Sequence, residues 1–226
     1  VNGSQQALAL SVQALLEPGD TVWVEDPGYP GTRAACLAGE VRMVPVPVDA
    51  EGLCVEEGIK RAADARMAFV TPSHQFPLGV TLSLTRRMQL LEWTRARHAW
   101  IFEDDYDSEF RYQGRPLCAL FGVDGSARVI YCGTFSKVLF PSLRLGYLVV
   151  PPALVDAFTA LRWAADVHSP ALEQAVLADY TAEGFFLRHI RRMRTLYAER
   201  RALLAAAVRS RFAPEVMKIT ESHAGM

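Results

Sequence analysis

Lys137 closes the run Gly133-Thr134-Phe135-Ser136-Lys137, a small, hydroxyl-rich turn behind the apolar stretch Val129-Ile130-Tyr131. A solvated surface position is the ordinary fate of a lysine, and it is the one expected of Lys60 and Lys218, the other two lysines of the chain. In this turn the alternative has equal standing. Partial burial of Lys137 would lower its pKa, because desolvation disfavours the charged amine. A neutral amine can form a Schiff base with an aldehyde. Arg144, seven residues on, can grip an anion with its forked guanidinium, and Thr134 and Ser136 add hydroxyls. An amine, a guanidinium and hydroxyls together suit a phosphorylated aldehyde.

A second group lies in Glu103-Asp104-Asp105-Tyr106-Asp107, after the apolar run Trp100-Ile101-Phe102. So many charged or phenolic groups cannot all be buried cheaply. A solvated loop or a Mg²⁺ or Ca²⁺ site is the plain reading, although the glycine and ligand spacing of a calcium loop are missing. The specific reading is a carboxylate for pyridoxal phosphate, whose ring nitrogen must stay protonated for the ring to act as an electron sink. A third group, Asn2-Gly3-Ser4-Gln5-Gln6, opens a helix. Free N–H groups and the helix dipole favour a phosphate there; an ordinary Ser4 cap is the alternative. Asp26-Pro27-Gly28-Tyr29-Pro30 adds an aromatic ring in a loop. No G-x-G-x-x-G or G-x-x-x-x-G-K-[ST] follows a strand, H-E-x-x-H is absent, and so is G-x-S-x-G. Dinucleotide, nucleoside-triphosphate, zinc-hydrolase and α/β-hydrolase chemistry lack their fingerprints, and no metal site is expected.

These groups need a scaffold that brings loop ends together. Helices are predicted over Ser4–Leu16, Thr32–Ala38, Val55–Ala63 and Thr85–Arg97. Strands are predicted over Thr21–Glu25, Val41–Val46, Arg66–Thr71, Trp100–Glu103, Arg128–Cys132 and Leu145–Val150. Strands alternating with helices predict an α/β fold with a mostly parallel sheet. Ligands in such sheets sit outside the carboxyl ends of the strands, where the Asp26–Pro30, Pro72–Gly79, Glu103–Asp107 and Gly133–Lys137 loops fall. From Pro152 to about Phe212 the pattern is helical throughout. The expected division is therefore 1–150 and 151–226.

The chain has 226 residues, is 50% hydrophobic and 22% charged, and carries a formal charge of −1. That excludes a disordered chain, a fibrous repeat and a polybasic nucleic-acid binder. No apolar run is long enough to span a membrane and no signal peptide is visible. Cys36, Cys54, Cys118 and Cys132 form no C-x-x-C pair, which points to a reducing, cytoplasmic setting. A start at Val1, already in a helix's first turn, and an end at Gly225-Met226 suggest a piece of a longer protein.

The run Gly133 to Tyr147 resembles the lysine segment of fold-type I, class I/II pyridoxal-phosphate aminotransferases. Asn2 to Leu8 is similar to their phosphate-binding helix start, and Glu25 to Gly31 to the loop whose aromatic ring stacks on the cofactor. Thr71-Pro72-Ser73-His74-Gln75-Phe76-Pro77 and Glu103 to Tyr112 resemble the MocR-type subgroup, in which an aminotransferase-like domain follows a GntR-type winged-helix DNA-binding domain. The Phe186–Arg201 stretch is similar to that subgroup too. The resemblance implies a three-layer large domain, long helices leading into a small domain cut short at Met226, and a homodimer. It implies that Lys137 bonds the cofactor and shuttles a proton, and that Asp104, or Asp105 if the register is one residue along, pairs with the ring nitrogen. Tyr106 would bond the ring oxygen and Tyr29 stack on the ring face. Ser4, Gln5, Thr134 and Arg144 would hold the phosphate, with Ser136 a weaker candidate. Amino-group transfer between an amino acid and a 2-oxo acid is the implied activity; sensing of an amino compound by a DNA-binding regulator is the rival. Two positions depart from the pattern. Phe76 stands where many relatives have an asparagine that touches the cofactor, leaving Gln75 or His74 to compensate, and Leu78 replaces a small hydroxyl residue. The arginine for a substrate carboxylate would lie beyond Met226, and a DNA-binding domain before Val1.

Arg188, Arg191, Arg192, Arg194, Arg200 and Arg201 give the last helix a basic face, with Leu187, Ile190, Leu196, Leu203 and Leu204 as its apolar side. A solvated connecting helix is favoured over a nucleic-acid contact, since no aromatic residues interleave the charges.

Overall fold

The computed structural model describes residues 1–112, 118–124, 127–217, 219 and 224–225. Lys218, expected at the surface, lies outside the described residues.

Strands β1 (Thr21–Asp26), β2 (Arg42–Asp49), β3 (Gly52–Leu53), β4 (Met67–Val70), β5 (Trp100–Asp105), β6 (Val129–Thr134) and β7 (Gly146–Val149) form one sheet in the order β3-β2-β1-β4-β5-β6-β7. Pairing is parallel through the centre and antiparallel at both edges, β2 with β3 and β6 with β7. The two-residue β3 escaped the sequence reading, because two residues are too few to show a period.

Helices cover both faces. α1 (Ser4–Leu15) and α2 (Pro30–Ala38) lie on one side, and α3 (Val55–Ala62) and α4 (Leu84–Arg97) on the other. The short α5 (Leu120–Val123) sits on the second side. Strand alternation sorts the core accordingly. Val22 and Val24 of β1, Met67 and Phe69 of β4, and Phe102 of β5 pack with Leu8 and Val12 of α1. Their neighbours Trp23, Ala68, Val70 and Ile101 pack with Leu90, Leu91 and Trp93 of α4. This is the expected three-layer α/β arrangement.

Gly3, not Ser4, is the N-cap of α1. Its φ is +86°, and a Cβ there would come within 2.9 Å of the Arg144 guanidinium, so only glycine fits. Ser4 is instead the first helical residue.

The helical stretch divides into α6 (Val155–Asp166), α7 (Ala171–Ala182) and α8 (Phe185–Arg211). α6 returns onto α1: Phe158 joins the α1 core, and Asp166 accepts bonds from Asn2 and Gln6. α8 touches the rest through Ile190, which packs with Phe110 and Val138. Arg194 donates twice to the Glu109 carbonyl, at 3.0 and 2.6 Å. Arg191, Arg192 and Arg200 are exposed, as a solvated face requires. On the apolar side Leu187, Leu203 and Leu204 are exposed, because the described chain puts nothing opposite them. Among the described residues no helix is long and apolar enough to cross a membrane.

Candidate functional site

The carboxyl ends of β1, β4, β5 and β6 open onto one edge of the sheet. β7 runs antiparallel to β6, so the 135–145 connection returns to the edge it left. That return brings Arg144 back beside Thr134. Ser4, Gln5, Tyr29, Asp104, Tyr106, Thr134, Ser136, Lys137 and Arg144 all border a single cleft of about 350 Å³, a volume suited to a small ligand. Thr71, His74, Phe76, Asp107 and Pro141 complete its lining.

One end of the cleft is built for an anion. α1 points its N-terminus there, with Ser4 and Gln5 in the first turn. Gln5 is braced by a 2.9 Å bond from its Nε2 to the Gly31 carbonyl. Arg144 takes a left-handed φ of +52° and donates to the Asn2 carbonyl at 2.7 Å, which locks the 135–145 connection to the helix start. Thr134 Oγ1 accepts from the Ser136 N–H at 3.2 Å. Hydroxyls, helix amides and a guanidinium therefore converge on one spot.

The other end is acidic, and it is buried rather than solvated. β5 alternates its carboxylates between the two faces. Glu103 turns to the α5 side and accepts from the Leu120 and Phe121 N–H groups, both at 2.9 Å. Asp105 accepts from the Tyr131 hydroxyl at 2.7 Å and the Ser108 hydroxyl at 2.8 Å. Asp104 alone of these three reaches the cleft. The expectation of a loop in water fails because each carboxylate but one has its own donors. Among the described residues no grouping could hold a metal ion.

Asp104 is the exception. Its Oδ1 is buried without a hydrogen-bond partner, as are those of Asp105 and Asp107, but those two carboxylates are held through their Oδ2 and Asp104 is held through neither oxygen. Burial raises its pKa to about 7, reinforced by the carboxylates of Asp105, Glu25 and Asp107 and opposed by Lys137. Glu25 is likewise pushed to about 7 by burial, against bonds from Thr71 and Gln75. Burial also raises Tyr106, with Asp107, Asp104, Glu25 and Asp105 adding to it, so its phenol stays protonated. A buried, unpartnered carboxylate oxygen in a cleft fits a ligand that brings a proton on nitrogen.

Of the two settings left open for Lys137, the structure shows the exposed one, with the side chain bordering the cleft. The 135–145 connection lies over the open edge; α8 packs on its Phe135 and Val138 and leaves the Lys137 side chain facing the cleft. Tyr29 is half-buried and meets Phe76 edge-on, with ring centroids 5.7 Å apart.

Of the two residues that could compensate for Phe76, the structure separates their roles. Gln75 is buried away from the cleft, where its Nε2 donates to Glu25 at 3.1 Å and to the Pro27 carbonyl at 2.9 Å. It rivets the loops after β1 and β4 together. His74 lines the cleft and lies 2.7 Å from Asp107. Sequence reasoning left Asp107 without a role. Its partner is 33 residues away, and only the adjacency of β4 and β5 joins them.

Comparison with known proteins agrees with this geometry. The family model described as aminotransferase class I and II matches residues 1–226. The chain is 45% identical over its whole length to a probable rhizopine catabolism regulatory protein of Rhizobium meliloti, of which it covers 45%. It is 32% identical to an aromatic-amino-acid aminotransferase of Thermococcus litoralis, covering all of this chain and 55% of that one. Its fold superposes with a TM-score of 0.92 on an α-aminoadipate aminotransferase of Thermus thermophilus solved with N-(5'-phosphopyridoxyl)-L-leucine. That match is 33% identical and covers 100% of this chain and 59% of the other. The chain thus spans about half the length of the relatives it matches.

Proposed function

The chain belongs to the class I and II aminotransferase family, and from that premise we propose that its cleft binds pyridoxal phosphate and that Lys137 is the residue that engages it. The observation that carries this reading is the buried, unpartnered Oδ1 of Asp104 in the same cleft as Lys137 and Arg144. Bound there, the cofactor supplies an aldehyde that amines attack and a ring that accepts an electron pair. The chain's own residues do the rest. Asp104 holds a proton at the ring nitrogen. Tyr106, protonated, donates to the ring oxygen, and Tyr29 covers the ring face. Ser4, Gln5, Thr134, Ser136 and Arg144 hold the phosphate. The Lys137 amine moves a proton to and from the substrate carbon.

In this proposal residues 1–150 form the cofactor-binding large domain of a homodimer, and 151–226 lead into a small domain. The reaction is amino-group transfer between an amino acid and a 2-oxo acid. The 45% identity to a regulatory protein favours a second reading, in which the same cleft senses an amino compound for an attached DNA-binding domain. Both readings require the Lys137 contact, so the first experiment tests that. Full-length protein incubated with pyridoxal phosphate and then borohydride should carry the label on Lys137, and Lys137→Ala should carry none. A label on Lys60 instead would sink the assignment. Single-turnover amino transfer from a panel of amino acids then separates the two: turnover favours the enzyme, and a ligand-dependent change in DNA affinity without turnover favours the sensor.

A further inference from the structure

His74 and Asp107 line the cleft, yet the proposed function gives them nothing to do. His74 comes from the loop after β4, and Asp107 follows β5. Nδ1 of His74 lies 2.7 Å from Oδ2 of Asp107, and Asp107 is only 2% exposed. The Tyr106 hydroxyl lies 3.2 Å from the same Nδ1. The distances order the protons. The shorter contact is the one to the carboxylate, and a hydrogen bond to an ionised acceptor is the stronger of the two. Nδ1 therefore carries a hydrogen and gives it to Asp107. A protonated ring nitrogen has no lone pair to offer, so the Tyr106 hydroxyl cannot donate to it. Its hydrogen is left for the cleft. Phe76, on the same loop as His74, brings no polar atom to share that task.

The imidazole is also held from outside. The chain returns at Ala224-Gly225, where Ala224 bridges to Arg111 and the Gly225 N–H donates to the Phe110 carbonyl at 3.2 Å. Gly225 has φ of +107°, and a Cβ there would fall 2.6 Å from Cε1 of His74. Only glycine lets the backbone close on the ring this tightly.

We infer that the His74–Asp107 pair positions Tyr106, fixing its hydroxyl as a donor toward the ring oxygen of the bound cofactor. The inference rests on the proposed function, since it needs that oxygen in the cleft. The charged groups around Tyr106 are Asp107, Asp104, Glu25 and Asp105; those around Asp107 are His74, Asp105 and Lys137.

The test is the pH midpoint of the bound cofactor's absorption change in the full-length protein. A donor to the ring oxygen stabilises its negative charge and lowers the midpoint. In Asp107→Leu the imidazole loses its acceptor, Nδ1 is left able to accept from Tyr106, and the Tyr106 hydrogen turns away from the cleft. The midpoint should rise by about one pH unit, the worth of one hydrogen bond to a charged group. Removal of a neighbouring negative charge would by itself move the midpoint down, so the sign separates positioning from plain electrostatics. On a Tyr106→Phe background the rise should shrink to less than about a third, because the pair acts through that hydroxyl. A fall, an unmoved midpoint, or the same rise without the hydroxyl overturns the inference. A measurement without variants guards against misfolding: ¹⁵N NMR of the cofactor-free protein should show His74 protonated at Nδ1, and an unprotonated Nδ1 overturns the inference. Failure of the unaltered protein to take up cofactor overturns the proposed function instead, and the NMR still judges the pair.

Discussion

The sheet half of the chain and the helical half have much the same appetite for apolar residues and satisfy it in opposite ways. In the first, Leu8, Trp23, Phe102 and Ile130 are sealed between sheet and helices. In the second, α7 buries nothing and the 27-residue α8 buries only Ile190. Trp163 and Leu172 stand 67% and 73% exposed. Burial is decided by what lies opposite a side chain, not by its type. The contrast also explains where the cleft can be. A carboxylate with no partner is costly, and Asp104 survives only because the packed sheet half over-determines its position.

The largest effect should come from the middle of that packing. Trp23 stacks on Trp93 at 3.9 Å and donates to the Ala62 carbonyl at 2.9 Å. Trp23→Ala should cost about 3–5 kcal/mol in urea unfolding. A loss below about 1 kcal/mol would mean that the sheet half has no rigid core to contrast with.

Next in size is Asp104→Asn, which should act in two directions. The folded pKa is near 7, against about 3.9 for an unperturbed aspartate. Below pH 4 the group is protonated folded or unfolded and costs nothing. As pH rises toward 7 the unfolded chain releases its proton first, so the folded state loses stability, and above 7 the loss is complete. Asp104→Asn should therefore stabilise cofactor-free protein by about 1–3 kcal/mol at pH 8 and by less at pH 5, while weakening cofactor uptake. Denaturation at both pH values checks the first part and equilibrium dialysis the second. Destabilisation at pH 8 would show that the carboxylate has a hidden partner.

Arg194→Ala probes the seam between the halves. It removes the guanidinium that grips Glu109 and should cost about 1 kcal/mol. The change should be read as faster amide exchange in α8, with β5 unaffected. If β5 exchanges faster as well, the halves unfold as one unit.

What the sequence displayed of this molecule follows the same divide. Strand ends in the sheet half were legible, because an apolar run of alternating faces stops at a polar loop, and Lys137, Asp104 and Tyr29 each follow such a run. The choice between Asp104 and Asp105 was not, since it turns on which face of β5 each occupies, a matter of one residue. Nor was the His74–Asp107 pair, which exists only because β4 and β5 are neighbours. Whether Lys137 is exposed or partly buried stayed open for a related reason: a turn's own composition does not say what packs beside it. In the helical half the helical character from Pro152 to about Phe212 was plain, but its division into α6, α7 and α8 was not. Nor were their uncovered faces, because a helical period shows that a face is apolar and is silent on what meets it.

The smallest effect should be the most telling. Leu172 lies on α7 with no cover among the described residues, so Leu172→Ser should change the stability of the isolated chain by no more than about 0.5 kcal/mol. In the homodimer proposed above, a face this apolar has a reason to be covered by the second copy, since large exposed apolar patches mark interaction surfaces. The same substitution should then weaken association in sedimentation equilibrium while leaving dilute-chain unfolding unmoved. A cost above about 1 kcal/mol in the dilute chain would mean that α7 is already packed within its own protomer. The two halves would then differ in degree only.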